Sequence, residues 1–289
     1  MSRIVIITTA SSHRRLAGNL SKKARETTMV SVKKRDWAKD RVYLYQFLPY
    51  SSMPNLSPFC LKVETFLLAY NIDYEPVNSF SVRSKNGLAP FIELNGEHVA
   101  DSQFIIEHLK KHFKIDDPSN VAQIRAFDRL ADCSLFFALY WDKMVKSGSK
   151  AAQPELIGLN IPTFLHGAFS TYAGWRLGGK ARSRIQSMLG NLSEAEINQV
   201  MRQDIAAFAE QLGNKPFLFG DKITSADCTF FAHLASCYYL PFAQPIQKLL
   251  QDDHPNLVDY LERVKSTVYP NWPKAKRAGK AEENPAKPN

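Results

Sequence analysis

The stretch Val42-Tyr43-Leu44-Tyr45-Gln46-Phe47-Leu48-Pro49, followed after a short loop by Ser57-Pro58-Phe59-Cys60-Leu61-Lys62-Val63-Glu64-Thr65, decides how the first half of this chain folds. Its β-branched and aromatic opening reads as a strand, and Pro49 with the Ser/Pro/Asn cluster after it stops that strand. Ser57 then stands at an N-cap with Pro58 in the first turn, and Leu61, Phe66 and Leu68 follow among good helix formers, so a helix is predicted over 58–70. Working outward, Tyr74 to Val77 reads as a second strand, Pro90 to Leu94 as a third, and His98 to Ala100 as a fourth across the Asn95-Gly96 turn. Asp101-Ser102 caps a helix that carries Phe104, Ile105, Ile106 and Leu109.

Strand, helix, strand, then hairpin and helix is the order of a thioredoxin-like α/β unit, expected over residues 42–113. Beyond it strand signals vanish. Helical periodicity dominates 121–146, 164–189, 194–212, 225–238 and 256–267, so an all-α domain is expected over 121–267, with the Gly/Ser/Pro-richer 147–163 as a connection.

The formal charge of +9 belongs to the ends. Residues 1–41 hold eleven Lys/Arg against three acids and 268–289 hold five against two, which leaves 42–267 at −2. Both ends are expected to be disordered extensions, and the nearly neutral middle with no basic–aromatic motif argues against nucleic-acid binding. No run approaches the ~18 apolar residues of a membrane span. Cys60, Cys133, Cys228 and Cys237 lie in apolar stretches without CxxC or His-rich spacing, so they read as buried thiols, with no metal, in a reducing, cytoplasmic setting. The first 25 residues carry six Lys/Arg and no acid, a composition shared with mitochondrial transit peptides, and a mitochondrial location is the alternative.

A thioredoxin-like unit takes glutathione along backbone edges and helix starts, which singles out three positions. Ser57 puts a hydroxyl where helix amides and the helix dipole favour a thiolate; it is the candidate catalytic group, unless it serves only as a cap. Ala89-Pro90 enters a strand, where the amides of Ala89 could pair with the peptide. Asp101-Ser102 opens a helix that could hold the γ-glutamyl carboxylate through Ser102 and the amino group through Asp101. Arg83 and Lys85 are candidates for the glycyl carboxylate or a solvated loop. Phe136, Phe137, Tyr140 and Trp141, with Lys143 nearby, form a helical stripe that lines either a second-substrate pocket or the core.

The run Phe217-Leu218-Phe219-Gly220-Asp221-Lys222-Ile223-Thr224-Ser225-Ala226-Asp227 resembles the C-terminal signature of glutathione transferases, with Thr224 and Asp227 as a reciprocal capping box and Ile223 as a hydrophobic staple. Together with Pro54 to Thr65, Ile92 to Gly96, Ala100 to Glu107, Pro255-Asn256-Leu257 and Tyr269-Pro270-Asn271-Trp272, it resembles the failed axon connections and cadmium-responsive proteins, a metaxin-like branch of the superfamily, over about residues 42–273. The resemblance implies glutathione as ligand or substrate, a hydrophobic electrophile as second substrate and a homodimer or protein partner. It equally implies a non-catalytic interaction module in axon development or metal stress. Gln46 stands where many transferases carry a thiol-activating tyrosine, and Gly190-Asn191-Leu192-Ser193 lacks the branch's Arg-His.

Overall fold

The computed structural model describes residues 32–116, 118 and 120–273. Strands β1 (Val42–Gln46), β2 (Tyr74–Asn78), β3 (Phe91–Leu94) and β4 (Glu97–Ala100) form one sheet in the order β2-β1-β3-β4. The β1–β2 pair is parallel and the other two are antiparallel, with Leu44 opposite Pro76 and Ile92. Helices α1 (Pro58–Ala69) and α2 (Ser102–Phe113) cover one face, where Val42, Leu44, Val63, Phe66, Ile92, Ile105 and Leu109 bury a common core. This is the thioredoxin-like unit, and its elements lie within a residue or two of the expected bounds.

The helical half begins with one long rod. Helix α3 (Val121–Leu130) runs through a π-helical turn, Ala131–Leu135, into α4 (Phe136–Tyr140) and a second π-helical turn, Trp141–Lys146. Short helices α5 (Gly148–Ala151) and α6 (Pro154–Ile157) occupy much of the stretch expected to be only a connection. Then follow α7 (His166–Leu189), α8 (Glu194–Leu212), α9 (Ser225–Tyr238), α10 (Pro245–Asp253) and α11 (Pro255–Val268). Helix α10 was not anticipated, although Pro245 at its first position and Ile246, Leu249 and Leu250 at helical spacing announce it. Helix α9 is buried on every side, because it is wrapped by its own domain and pressed against α1.

Its start is the capping box anticipated at Thr224 and Asp227. The Asp227 carboxylate accepts from the Thr224 amide at 2.9 Å and from the Leu218 amide at 2.8 Å, while Thr224 Oγ1 accepts from the Asp227 amide. Tyr260 adds a hydroxyl donor at 3.2 Å.

Both ends of the folded part extend beyond the expected boundaries at 42 and 268. The second sheet face buries Glu93, whose oxygens accept from the amides of Lys33 and Lys34 at 2.8 Å and from the Tyr45 hydroxyl at 3.0 Å. A carboxylate buried there requires donors, and the backbone of 33–34 supplies them. Trp37 lies against Gly96, whose φ of +80° and lack of a Cβ let the hairpin turn meet the indole. At the other end Tyr269 is buried with its hydroxyl 2.8 Å from Thr65 Oγ1, and Trp272 Nε1 donates to the Ser52 carbonyl at 2.9 Å. The expectation of disorder therefore fails for 33–41 and 268–273, where it rested on charge and overlooked the aromatic anchors. The rest of both extensions, including the transit-like start, lies outside the described residues.

Candidate functional site

A cleft of about 280 Å³ opens between the sheet domain and the rod. One wall is the Ala89-Pro90 turn, joined by a cis peptide, together with the start of α2 at Asp101 and Ser102. These four residues, singled out separately in the sequence, thus meet in one place. The backbone explains the meeting: β3 and β4 form a tight hairpin with Phe91 paired to Ala100, so the residue before one strand and the residue after the other lie side by side.

Asp101 holds φ at +79°, in the left-handed region that is costly for a side chain with a Cβ. Its carboxylate accepts from the Gln103 amide at 2.9 Å, which caps α2 and offsets part of that cost. Ser102 is buried beside it at the positive end of the α2 dipole.

The opposite wall comes from the π-helical turn and from the end of α7. Asp132, Cys133, Arg129 and Phe137 face the cleft from the rod, and Arg184 and Met188 from α7. A π-turn inserts one extra residue per turn, which rotates Asp132 and Cys133 out of strict α-helical phase, and such turns recur at functional sites. Cys133 is half-buried, unlike the other three cysteines, so the expectation of four buried thiols fails there. The Arg129 guanidinium donates to its sulfur.

Behind the wall lies a buried ionic cluster. Lys62 Nζ of α1 sits 2.8 Å from Asp132 Oδ2, 3.1 Å from Asp128 Oδ1 and 3.1 Å from Gln103 Oε1. Asp132 Oδ1 is 2.8 Å from His233 Nε2, and Thr229 donates to Asp128. Burial alone would raise the Asp132 carboxyl, but the Lys62 charge and the His233 hydrogen bond outweigh it and hold the group below the usual carboxylate range. For His233 the balance goes the other way, and burial pushes its pKa down against the pull of Asp132.

Ser57 does not line the cleft, although Phe59 does. It is half-buried and extended at the N-cap of α1, and its hydroxyl caps no helix amide. Complete burial pushes the Cys60 thiol up to about 12, which works against thiolate formation there. Phe137 reaches the cleft as anticipated. Tyr140 and Trp141 do not: Tyr140 stacks on Phe136 at 4.9 Å, and Trp141 is buried under the Arg182 guanidinium at 4.8 Å. Arg83 lies over the Phe47 ring and Lys85 on an exposed loop, both outside the cleft lining. Lys143 is buried, donating to Ser236 Oγ at 2.9 Å. Sequence reasoning missed Arg129, Asp132, Cys133, Arg184 and Met188; the available signal was Arg125, Asp128, Arg129 and Asp132 at three- and four-residue spacing on one helix.

Residues 58–148 match the family model for the glutathione S-transferase N-terminal domain, and residues 201–264 match that for the glutathione S-transferase C-terminal domain. The chain is similar to Failed axon connections of Drosophila melanogaster, at 34% identity over 257 residues, 84% of this chain and 61% of that protein, so it spans about three fifths of that relative's length. It is also similar to isoprene-epoxide–glutathione S-transferase of Rhodococcus sp. (strain AD45), at 32% identity over 249 residues, 78% of this chain and 98% of that one. A glutathione transferase structure from Phanerochaete chrysosporium superposes with a TM-score of 0.56 at 15% identity, covering 80% of this chain and 98% of that one, a likeness of fold.

Proposed function

The chain belongs to the glutathione S-transferase family, and on that premise we propose that it binds glutathione in the cleft between the Ala89-Pro90 turn and the π-helical turn of the rod. The observation that carries this reading is the convergence of Ala89, Pro90, Asp101 and Ser102 on one cavity wall. Ser102 and the first amides of α2 offer donors to the γ-glutamyl carboxylate, and Asp101 offers its charge to the amino group. The backbone of Ala89 is positioned for the cysteinyl unit. The ligand's thiol would then point toward Arg129 and the start of α1, where positive potential favours the thiolate.

In this reading an electrophile enters over Phe137 and Met188, the apolar part of the far wall. Ser57 remains our candidate for thiolate stabilisation, through a hydroxyl that no helix amide occupies. A specific observation favours a second reading, a glutathione-binding module without turnover: Ser57 lies off the cleft lining. Retention on immobilised glutathione with elution by free glutathione tests binding, and loss of an epoxide or activated aryl halide with glutathione present tests turnover. Retention with no turnover would select the second reading. Absence of retention would remove both.

A further inference from the structure

Helix α7 is unusual for a helix of a packed domain, because most of its circumference faces solvent. It is held through Ser170, Gly174, Ala181 and Ile185, which form one narrow buried stripe. Gly174 permits this contact, since a Cβ there would collide with the backbone of Ser149 on α5. On the outward side Trp175 is 74% exposed and Tyr172 59%, their rings 6.2 Å apart, and just before the helix Phe164 is 82% exposed. A water-soluble surface seldom leaves two neighbouring large aromatic rings this exposed without covering them.

The charge around them has one sign. From residue 156 to residue 193 the sequence contains no Asp or Glu, while Arg176, Lys180, Arg182 and Arg184 are all exposed on α7. Among the described residues no carboxylate pairs with any of these four. Trp175 and Arg176 lie three and four residues beyond Tyr172, so rings and cation share one face, while the Arg182 guanidinium is drawn aside over the Trp141 ring. An isologous dimer through this face would set like charges against each other. A surface that is anionic and has an apolar layer just beneath satisfies both features at once: tyrosine and tryptophan settle at the headgroup level, and arginine and lysine meet the headgroup charge. No described helix is long and apolar enough to cross a bilayer, so the contact is one of lying on it.

We propose that the exposed face of α7 around Tyr172, Trp175 and Arg176 docks the protein on membranes whose surface carries anionic lipid. The whole 289-residue chain, with both basic ends, is the material to use, and tryptophan emission separates their contribution from that of α7. With mixed phosphatidylserine–phosphatidylcholine vesicles the wild type should co-sediment with a blue-shifted emission, and with pure phosphatidylcholine vesicles it should stay in solution. The double substitution Tyr172→Ala/Trp175→Ala should weaken co-sedimentation about tenfold or more. Trp175→Phe should keep binding while abolishing the shift, and Arg176→Glu/Lys180→Glu should weaken binding by the charge route. All these positions are exposed, and circular dichroism confirms that the variants fold. Co-sedimentation unaltered by the aromatic and charge substitutions would assign the attraction to the ends and overturn the proposal. So would no vesicle binding at all, or a concentration-dependent dimer that these substitutions dissolve while vesicles are ignored.

Discussion

The ammonium of Lys62 lies 2.8 Å from Oδ2 of Asp132, with the lysine side chain fully buried and the carboxylate 5% exposed. One residue belongs to the helix that covers the sheet and the other to the rod of the helical domain. The pair therefore ties together the two units whose gap is the cleft, and it does so through Asp132, which itself lines that cleft.

Breaking the pair should be expensive. Lys62→Met removes the buried ammonium that Asp128 and Asp132 share and leaves them only the half-exposed guanidiniums of Arg125 at 3.8 Å and Arg129 at 3.4 Å, so stability should fall by about 3–5 kcal/mol. Adding Asp128→Asn and Asp132→Asn should recover much of the loss, because the stranded charges are gone. Chemical denaturation of the three forms checks this; a single variant as stable as wild type would mean that the cluster is solvated.

His233 gives the cluster a pH dependence with a definite sign. Burial, aided by Lys62 and Lys143 and opposed by Asp132, lowers its pKa from 6.5, so the native state keeps the ring neutral where the unfolded chain would protonate it. The unfolded state then binds the extra proton, and stability rises with pH up to about 6.5 and drops as the solution is acidified below it. His233→Gln should flatten that dependence by at most about 1.4 kcal/mol per pH unit. Parallel slopes for mutant and wild type would show that the ring titrates normally.

At the capping box, Asp227→Ala strands the buried amides of Leu218 and Thr224, and a loss of about 2–4 kcal/mol is expected. The molecules that still fold should bind glutathione as before, since Asp227 does not line the cleft. An unchanged thermal midpoint would contradict the structure of this turn.

How much of this was legible beforehand differs by element. Strand β1, helix α1 and the capping box could be read because propensity, caps and pattern agree over a few neighbouring residues. The near wall of the cleft was legible for the same reason: a proline before a strand and a capped helix start are local signals. The far wall was not. Asp132 and Cys133 reach the cleft through a π-helical turn, and periodicity assumes a regular 3.6-residue repeat across it. Of the stripe that reads as either pocket or core, Phe137 lines the cleft, while Trp141 is buried and Tyr140 is half-buried against Phe136. The docked segment 33–40 was hidden by its charge, since its binding partner is a carboxylate sixty residues away in sequence, Glu93 with Lys33.

Ser57→Ala should leave glutathione affinity within about threefold while raising the pKa of the bound thiol, if the uncapped hydroxyl turns to the ligand. Ultraviolet absorbance of the bound thiolate, followed against pH, reports it. Identical titrations of variant and wild type would transfer the role to Arg129 and the helix dipole.

The central claim is that glutathione occupies the cleft where Ala89-Pro90 and Asp101-Ser102 meet. Calorimetric titration of reduced glutathione into wild type and Ser102→Ala addresses it most directly, because Ser102 is the one buried side chain assigned solely to holding the γ-glutamyl carboxylate. The account predicts saturable one-site binding by wild type and a loss of about tenfold or more on removing the hydroxyl. Wild type that shows no saturable binding, or a Ser102→Ala protein that binds equally well, would contradict it.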